Sequence, residues 1–165
     1  MVISLSYPPL ISLHTKSLPD RGVSVLMCLL KQLSTYQGHP ATRDTLTSVV
    51  NRSACFITAV ADHEEQGGHF VGIIRIETHL GSDGQRYGEL HDEIVAGAFR
   101  HNGIGKALIR EALAQARRLR VVELSLQVKP YRKEAIALYE RFGFKLVSTA
   151  DPNVVGSANH YCLKL

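Results

Sequence analysis

The sequence predicts a domain of the α/β or α+β class, and three observations lead there. Apolar residues recur at helical spacing near the start of the chain and again after Ile104. Runs of β-branched and aromatic residues lie between and beyond those stretches, and turns rich in glycine or proline separate the runs. A length of 165 residues fits one domain over 1–165, large enough to bury a core without disulfides or metals.

A first helix is expected to start within Ser17 to Asp20, with Val23, Leu26, Leu30 and Leu33 on one face until "STYQGHP" ends the pattern. A weaker second helix runs from about Thr42 to Arg52, with Leu46 and Val49 or Val50 turned inward. "ACFITAVAD" and "HFVGIIRIETH" read as strands joined by "HEEQGG", whose Gly67 and Gly68 suit a hairpin. After the turn "GSDGQ", "YGELHDEIVAG" makes a third long strand. From Ile104 the period is helical again: Ile104, Leu108, Ala112 and Leu119 share a face, while Lys106, Arg110, Arg117 and Arg118 fall on others. "VVELSLQV" is a strand ended by Pro130, and "KEAIALYERFG" is a helix with Gly143 as its cap. "FKLVSTA" and "NHYCLKL" close the chain as two strands around the polar loop "DPNVVGS".

Composition narrows the function classes. With 45% hydrophobic and 21% charged residues, the chain belongs with globular proteins rather than disordered or fibrous ones. Its three cysteines, Cys28, Cys55 and Cys162, are scattered without a CxxC pair, which argues against a disulfide framework or zinc knuckle and for a reducing, cytoplasmic setting. The opening "MVISLSYPPLISLHTK" lacks a basic leader region and is interrupted by Pro8 and Pro9, so it reads as neither signal peptide nor membrane span. The eight histidines show no metal-ligand spacing, and no metal site is expected. A net charge of +4 suits an anionic ligand or a solvated basic surface. The basic residues lack interleaved aromatics, so a nucleic-acid partner is not expected.

The stretch most suggestive of chemistry is "RHNGIGKALIREAL", Arg100 to Leu113. A strand that passes through a glycine turn into a helix presents free backbone N–H groups at the positive end of the helix dipole, and phosphate is their natural partner. A Walker A loop with its lysine at Lys106 would need glycine where Arg100 stands and a hydroxyl residue where Ala107 stands, so it fails. The dinucleotide fingerprint fails at Leu108, where a third glycine is required. What survives is Arg100-x-x-Gly103-x-Gly105 between a strand and an amphipathic helix, followed one strand later by "AIALYERFGF", Ala135 to Phe144.

Together "RHNGIG" and "AIALYERFGF" resemble the GNAT superfamily of acyl-CoA-dependent N-acyltransferases, and the order of elements from Ser17 to Leu165 matches it. The resemblance implies a mixed, mostly antiparallel sheet flanked by helices and splayed to admit pantetheine. It also implies acetyl-CoA as cofactor, with Arg100 and His101 in the turn and the backbone N–H groups of Asn102, Gly103, Ile104, Gly105 and Lys106 holding its pyrophosphate. The strand around Ile94, Val95 and Ala96 would bond pantetheine and polarise the thioester carbonyl. Six basic residues between Arg100 and Arg120 suit a nearby 3′-phosphate or a solvated helix face. Where many relatives carry Asn, three positions before the alanine of the second motif, this chain has Arg132.

Acyl transfer to an amine needs a neutral amine, a polarised carbonyl and a protonated leaving thiolate. Tyr139 matches the family's tyrosine that protonates the sulfur; its spacing with Ala135, Leu138 and Phe142 also suits a core aromatic. Phe142 and Phe144 are expected to pack. For the base, Glu89 lies eleven residues before Arg100, a spacing at which GNAT relatives place a catalytic glutamate. His91 is the second candidate, and Glu93 would share their face in a regular strand, unless a bulge turns it. A water relay is the remaining alternative. By resemblance, "STYQGHP" and "DPNVVGSANHY" line the acceptor pocket, with Tyr36, His39 and Asn159 as contacts or simple loop residues. The expectation is an N-acetyltransferase for a small-molecule primary amine, by direct transfer in a ternary complex. A protein-directed acetyltransferase and a non-catalytic acyl-CoA-binding regulator are the alternatives, and the family allows a homodimer.

Overall fold

The computed structural model of the chain describes Val2–Ser4, Leu10–Leu13, Ser53–Ala61 and residues 69–165. The helices expected at 17–33 and 42–52, and the hairpin turn at Gly67 and Gly68, lie outside the described residues. Within the described residues the strands are β1 (Val2–Ser4), β2 (Leu10–Leu13), β3 (Ser53–Ala61), β4 (His69–Leu80), β5 (Arg86–Val95), β6 (Val121–Val128), β7 (Lys145–Ser148) and β8 (Asn159–Lys164). The helices are α1 (Ile104–Arg118) and α2 (Lys133–Arg141). All eight strands join one sheet in the order β1-β2-β3-β4-β5-β6-β8-β7, antiparallel at every junction except β5 with β6.

Two strands were not expected. No element was expected before Ser17, yet β1 and β2 flank Pro8 and Pro9 and extend the sheet by pairing Leu10–Leu13 against Val60–Ile57.

The feature that shapes the site is a bulge in β5. Ile73 faces Ile94, but Arg75 faces His91, so Asp92 and Glu93 together oppose Ile74. Asp92 sits at φ +54°, a left-handed conformation that aspartate tolerates better than most residues. Its carboxylate accepts a hydrogen bond from Nε of buried Arg75, whose Nη1 also bonds Glu77. The extra residue reverses the side-chain alternation. Gly88 and Leu90 face the core before the bulge, whereas Glu93 and Val95 face the start of α1 after it.

The parallel pairing of β5 with β6 ends at the bulge. It runs from Arg86↔Val121 to Leu90↔Leu126, helped by Ser125 Oγ, which donates to the Gly88 carbonyl at 3.4 Å. Beyond that point β6 stays paired to β8 through Val128↔Asn159, while β5 follows β4 to Ile94 and Val95. A gap therefore opens between β5 and β6, as the splayed sheet required.

Helix α1 covers the sheet with Ile104, Ala107, Leu108, Ile109, Ala112 and Ala116 buried. Each fully buried leucine or isoleucine there contributes about 1.5–3 kcal/mol. Glu111 is also buried, with Gln115 Nε2 donating to it at 2.9 Å. Helix α2 ends as expected at Gly143, at φ +92°. The Gly143 N–H donates to the Glu140 carbonyl at 2.9 Å and the Phe144 N–H to the Tyr139 carbonyl at 3.2 Å, the two bonds of a Schellman cap. That cap folds buried Phe144 back over Tyr139, with the rings edge to face at 6.0 Å. Gly143→Ala should cost about 1–2 kcal/mol in denaturant unfolding, the steric penalty of a side chain in the left-handed region.

Candidate active site

The glycine turn is built for an anion. Gly103 caps α1 at φ +79°, and no side chain bonds the helix start. The first intrahelical bond runs from the Ala107 N–H to the Gly103 carbonyl, so the N–H groups of Ile104, Gly105 and Lys106 have no acceptor within the helix. No acidic residue occupies the first turn. A Cβ built on Gly103 would meet nothing within 4 Å, which leaves open space at the helix end. A cavity of about 840 Å³ lies over this turn, with Arg100, Lys106, Arg132, Lys133 and Arg141 among its walls. Of the expected cofactor residues, all but Ala96 and Asn102 line it. A pyrophosphate fits this donor set and charge.

At the end of β5 the three expected backbone donors separate. The Ala96 N–H donates to the Val71 carbonyl at 2.8 Å, so Ala96 is committed to the sheet and cannot polarise a carbonyl. An antiparallel ladder alternates, so Ile94, paired with Ile73, also turns its N–H to β4, and Val95 turns the other way, into the gap left by β6. Arg100 Nε donates to the Val95 carbonyl at 3.1 Å, tying the turn to this strand end.

Tyr139 is buried on α2, and its hydroxyl donates to Glu93 Oε2 at 2.9 Å. Burial pushes the phenol well above its ordinary value, and the Glu93 charge and hydrogen bond push in the same direction. Burial likewise raises the Glu93 carboxyl, against the bond from Tyr139 and the charges of Arg132 and Arg100, which lower it. Arg132 stands just before α2 and lines both this cavity and a second one.

The second cavity, of about 340 Å³, is lined by Glu89, His91, Asp92, Glu93, Tyr139 and Lys129 among others. Glu89 and His91 lie together: His91 Nε2 is 3.4 Å from Glu89 Oε2 and 3.8 Å from Glu77, yet has no aligned hydrogen bond among the described residues. The His91 contact, opposed by burial, lowers the Glu89 carboxyl below the usual range. Glu93 does not share their face, because the bulge turns it to α1 and α2.

The expected acceptor contacts fare differently. Tyr36 and His39 lie outside the described residues. Asn159 lines neither cavity; its Oδ1 accepts from the Ala150 N–H at 2.9 Å and so holds the base of the last loop. Gly156 and Ala158 of that loop reach the second cavity instead, pinned by Lys129 Nζ, which donates to the carbonyls of Gly156 and, at 3.2 Å, Ser157. Arg75 was missed in the sequence, although a lone cation in the apolar run "HFVGIIRIETH" was a usable signal. Among the described residues no cluster is suited to a metal, and no helix is long and apolar enough to cross a membrane.

The chain matches the model of the acetyltransferase (GNAT) family over residues 27–144. It therefore belongs to that family and is an acetyltransferase that uses acetyl-CoA. Solved structures share its fold at low identity. A chain of the NatC complex bound to Gag peptide and CoA is 18% identical, with a TM-score of 0.79 over 94% of this chain and 98% of that one. Arabidopsis thaliana Naa50 in complex with the bisubstrate analogue CoA-Ac-MVNAL is 18% identical, with a TM-score of 0.69 over 94% and 99%. An IAA acetyltransferase from Bacillus cereus is 19% identical, with a TM-score of 0.67 over 96% and 100%. No curated protein sequence matches the chain.

A raised tyrosine pKa has a stability consequence. The native state holds the Tyr139 proton more tightly than the unfolded chain, so this stabilisation is fully present below pH 10.0, the ordinary phenol value, and is lost as pH rises through the folded value. Tyr139→Phe is expected to flatten the decline of the unfolding midpoint above pH 10.0, measured by urea titration at successive pH values.

Proposed function

We propose that the protein transfers the acetyl group of acetyl-CoA to the primary amine of a small molecule, by direct attack in a ternary complex within one domain. The observation that carries this is the pair of unlike cavities sharing Glu93 and Arg132 at the β5–β6 gap: one predominantly cationic over a helix start, the other of mixed charge, where Glu89, Asp92, Glu93 and the His91 imidazole stand against Arg75, Lys129 and Arg132. The first suits a phosphorylated donor and the second an amine. Its volume of about 340 Å³ is at the small-ligand end of binding sites.

Acetyl-CoA supplies the activated acyl group. The N–H groups at the start of α1, with Arg100 and Lys106, hold the pyrophosphate. Val95 directs its N–H at the thioester carbonyl, a contribution of about 2.7–4 kcal/mol by analogy with other oxyanion donors. Glu89 attracts the incoming ammonium, and neutral His91 takes its first proton through Nε2, which makes no aligned hydrogen bond among the described residues. Tyr139, kept protonated by burial, gives its proton to the sulfur. Among the described cysteines neither favours an acyl-cysteine route: Cys55 and Cys162 line neither cavity, burial lifts the Cys55 thiol to about 11, and Cys162 is raised as well.

A second acceptor class, the α-amine of a peptide, is favoured by likeness to a chain of the peptide-bound NatC complex and to Naa50 with its bisubstrate analogue. A parallel screen of small amines and short peptides separates the two by kcat/KM.

Calorimetric titration with acetyl-CoA should show micromolar binding, weakened at least roughly tenfold in Gly103→Glu, where a carboxylate enters the open space at the helix end. Full binding by the variant would remove the turn from the donor site. Glu89→Gln should lower kcat/KM for the amine by about tenfold, chiefly through KM, while acetyl-CoA affinity stays within about twofold; an unchanged kcat/KM at neutral pH would reject Glu89.

A further inference from the structure

The hydrogen bond between Tyr139 and Glu93 has no part in the steps of acetyl transfer given so far. A tyrosine that must deliver its proton to sulfur already donates it to a carboxylate, Glu93 Oε2, at 2.9 Å. That carboxylate is one of two residues common to both cavities, and its other oxygen lies beside the donor turn, 2.9 Å from where a Cβ on Gly105 would stand. Glu93 is brought there only by the β5 bulge, since a regular strand would put it on the face of Glu89 and His91.

We propose that Glu93 is a catalytic residue, the shuttle that takes the second proton of the attacking amine and returns it to Tyr139. The inference rests on the proposed acetyl transfer to an amine. After His91 has taken the ammonium proton, the neutral nitrogen attacks, its C–N bond forms, and Glu93 accepts the proton the nitrogen then sheds. Tyr139 gives its own proton to the sulfur as the C–S bond breaks. Glu93 then passes its proton across the existing hydrogen bond and restores the phenol. One amine proton thus ends on the thiol, the other leaves through His91, and no further reactant is needed.

The direction of the two carboxyls supports this assignment. Glu89 is a weaker base than an ordinary glutamate and Glu93 a stronger one. The charged or titratable groups acting on Glu93 are Tyr139 and Arg132 from the α2 side and Arg100 from the turn.

The test compares wild type with Glu93→Gln, which keeps the shape and a hydrogen-bond acceptor for Tyr139 but cannot carry a proton. Expected are a fall in kcat of about 10²-fold or more, an acetyl-CoA affinity within about threefold by calorimetry, and loss of the carboxyl limb in the kcat–pH profile. In protein without donor, ultraviolet titration should show the phenolate of Tyr139 forming at lower pH in the variant, with Tyr139→Phe identifying the signal. Glu93→Gln/Tyr139→Phe should be no slower than the worse single variant, because both act in one relay. An active wild type whose Glu93→Gln variant keeps turnover within about threefold overturns the shuttle alone. A wild type that binds acetyl-CoA and acetylates no amine overturns the function and the shuttle together. Should Glu93→Gln fail to fold, Glu93→Asp, which keeps the acid but shortens its reach, is expected to lose at least about tenfold in kcat, and unchanged turnover there overturns the shuttle.

Discussion

Arg75 and Asp92 hold each other across β4 and β5, and the geometry of the site follows from that pairing. A buried guanidinium is tolerable only with its charge matched, and Asp92 and Glu77 supply the match. Holding Asp92 against Arg75 keeps the residue at positive φ and keeps two residues of β5 opposite one of β4. The bend ends the parallel pairing after Leu90, opens the gap beside Val95 and turns Glu93 to Tyr139. In a strand without the bulge, Glu89, His91 and Glu93 would form one continuous face. The pair is thus a matter of shape more than of net stability.

The same bulge sorts two glutamates of one strand into opposite electrostatic settings. Glu89 lies by His91 on a partly open surface, where the imidazole favours its ionised form. Glu93, four residues on, is enclosed against α1 and α2, where desolvation favours its protonated form. Environments that push like groups apart are how a site assigns the binding of charge to one and the movement of protons to another.

Much of this was legible in the sequence. The turn and α1 were readable because glycine spacing and a 3.6-residue period are local signals, and Gly143 announced its cap for the same reason. The face of Glu93 stayed open for a physical reason as well: a bulge depends on cross-strand partners, such as Arg75, seventeen positions before Asp92, and period-two alternation carries no mark of them. Ala96 was counted as a donor because sequence does not say which edge of a strand is already bonded. Asn159 looked like a pocket residue by its place in a polar loop, yet the loop needed that amide for its own backbone. β1 and β2 escaped notice because three and four residues around paired prolines carry too little pattern.

Gly103 and Gly105 also differ in what history permits. At Gly103 the backbone conformation alone disfavours any other residue, whatever surrounds it. Gly105 is helical, and what resists a side chain there is the Glu93 carboxylate, with Leu138 Cδ2 at 3.3 Å behind it. An alanine at 105 therefore has to displace the group that receives the Tyr139 hydroxyl, whereas in a chain with a short residue at 93 it would cost far less. The two positions are sterically coupled: the room for a side chain at 105 depends on where the side chain at 93 lies.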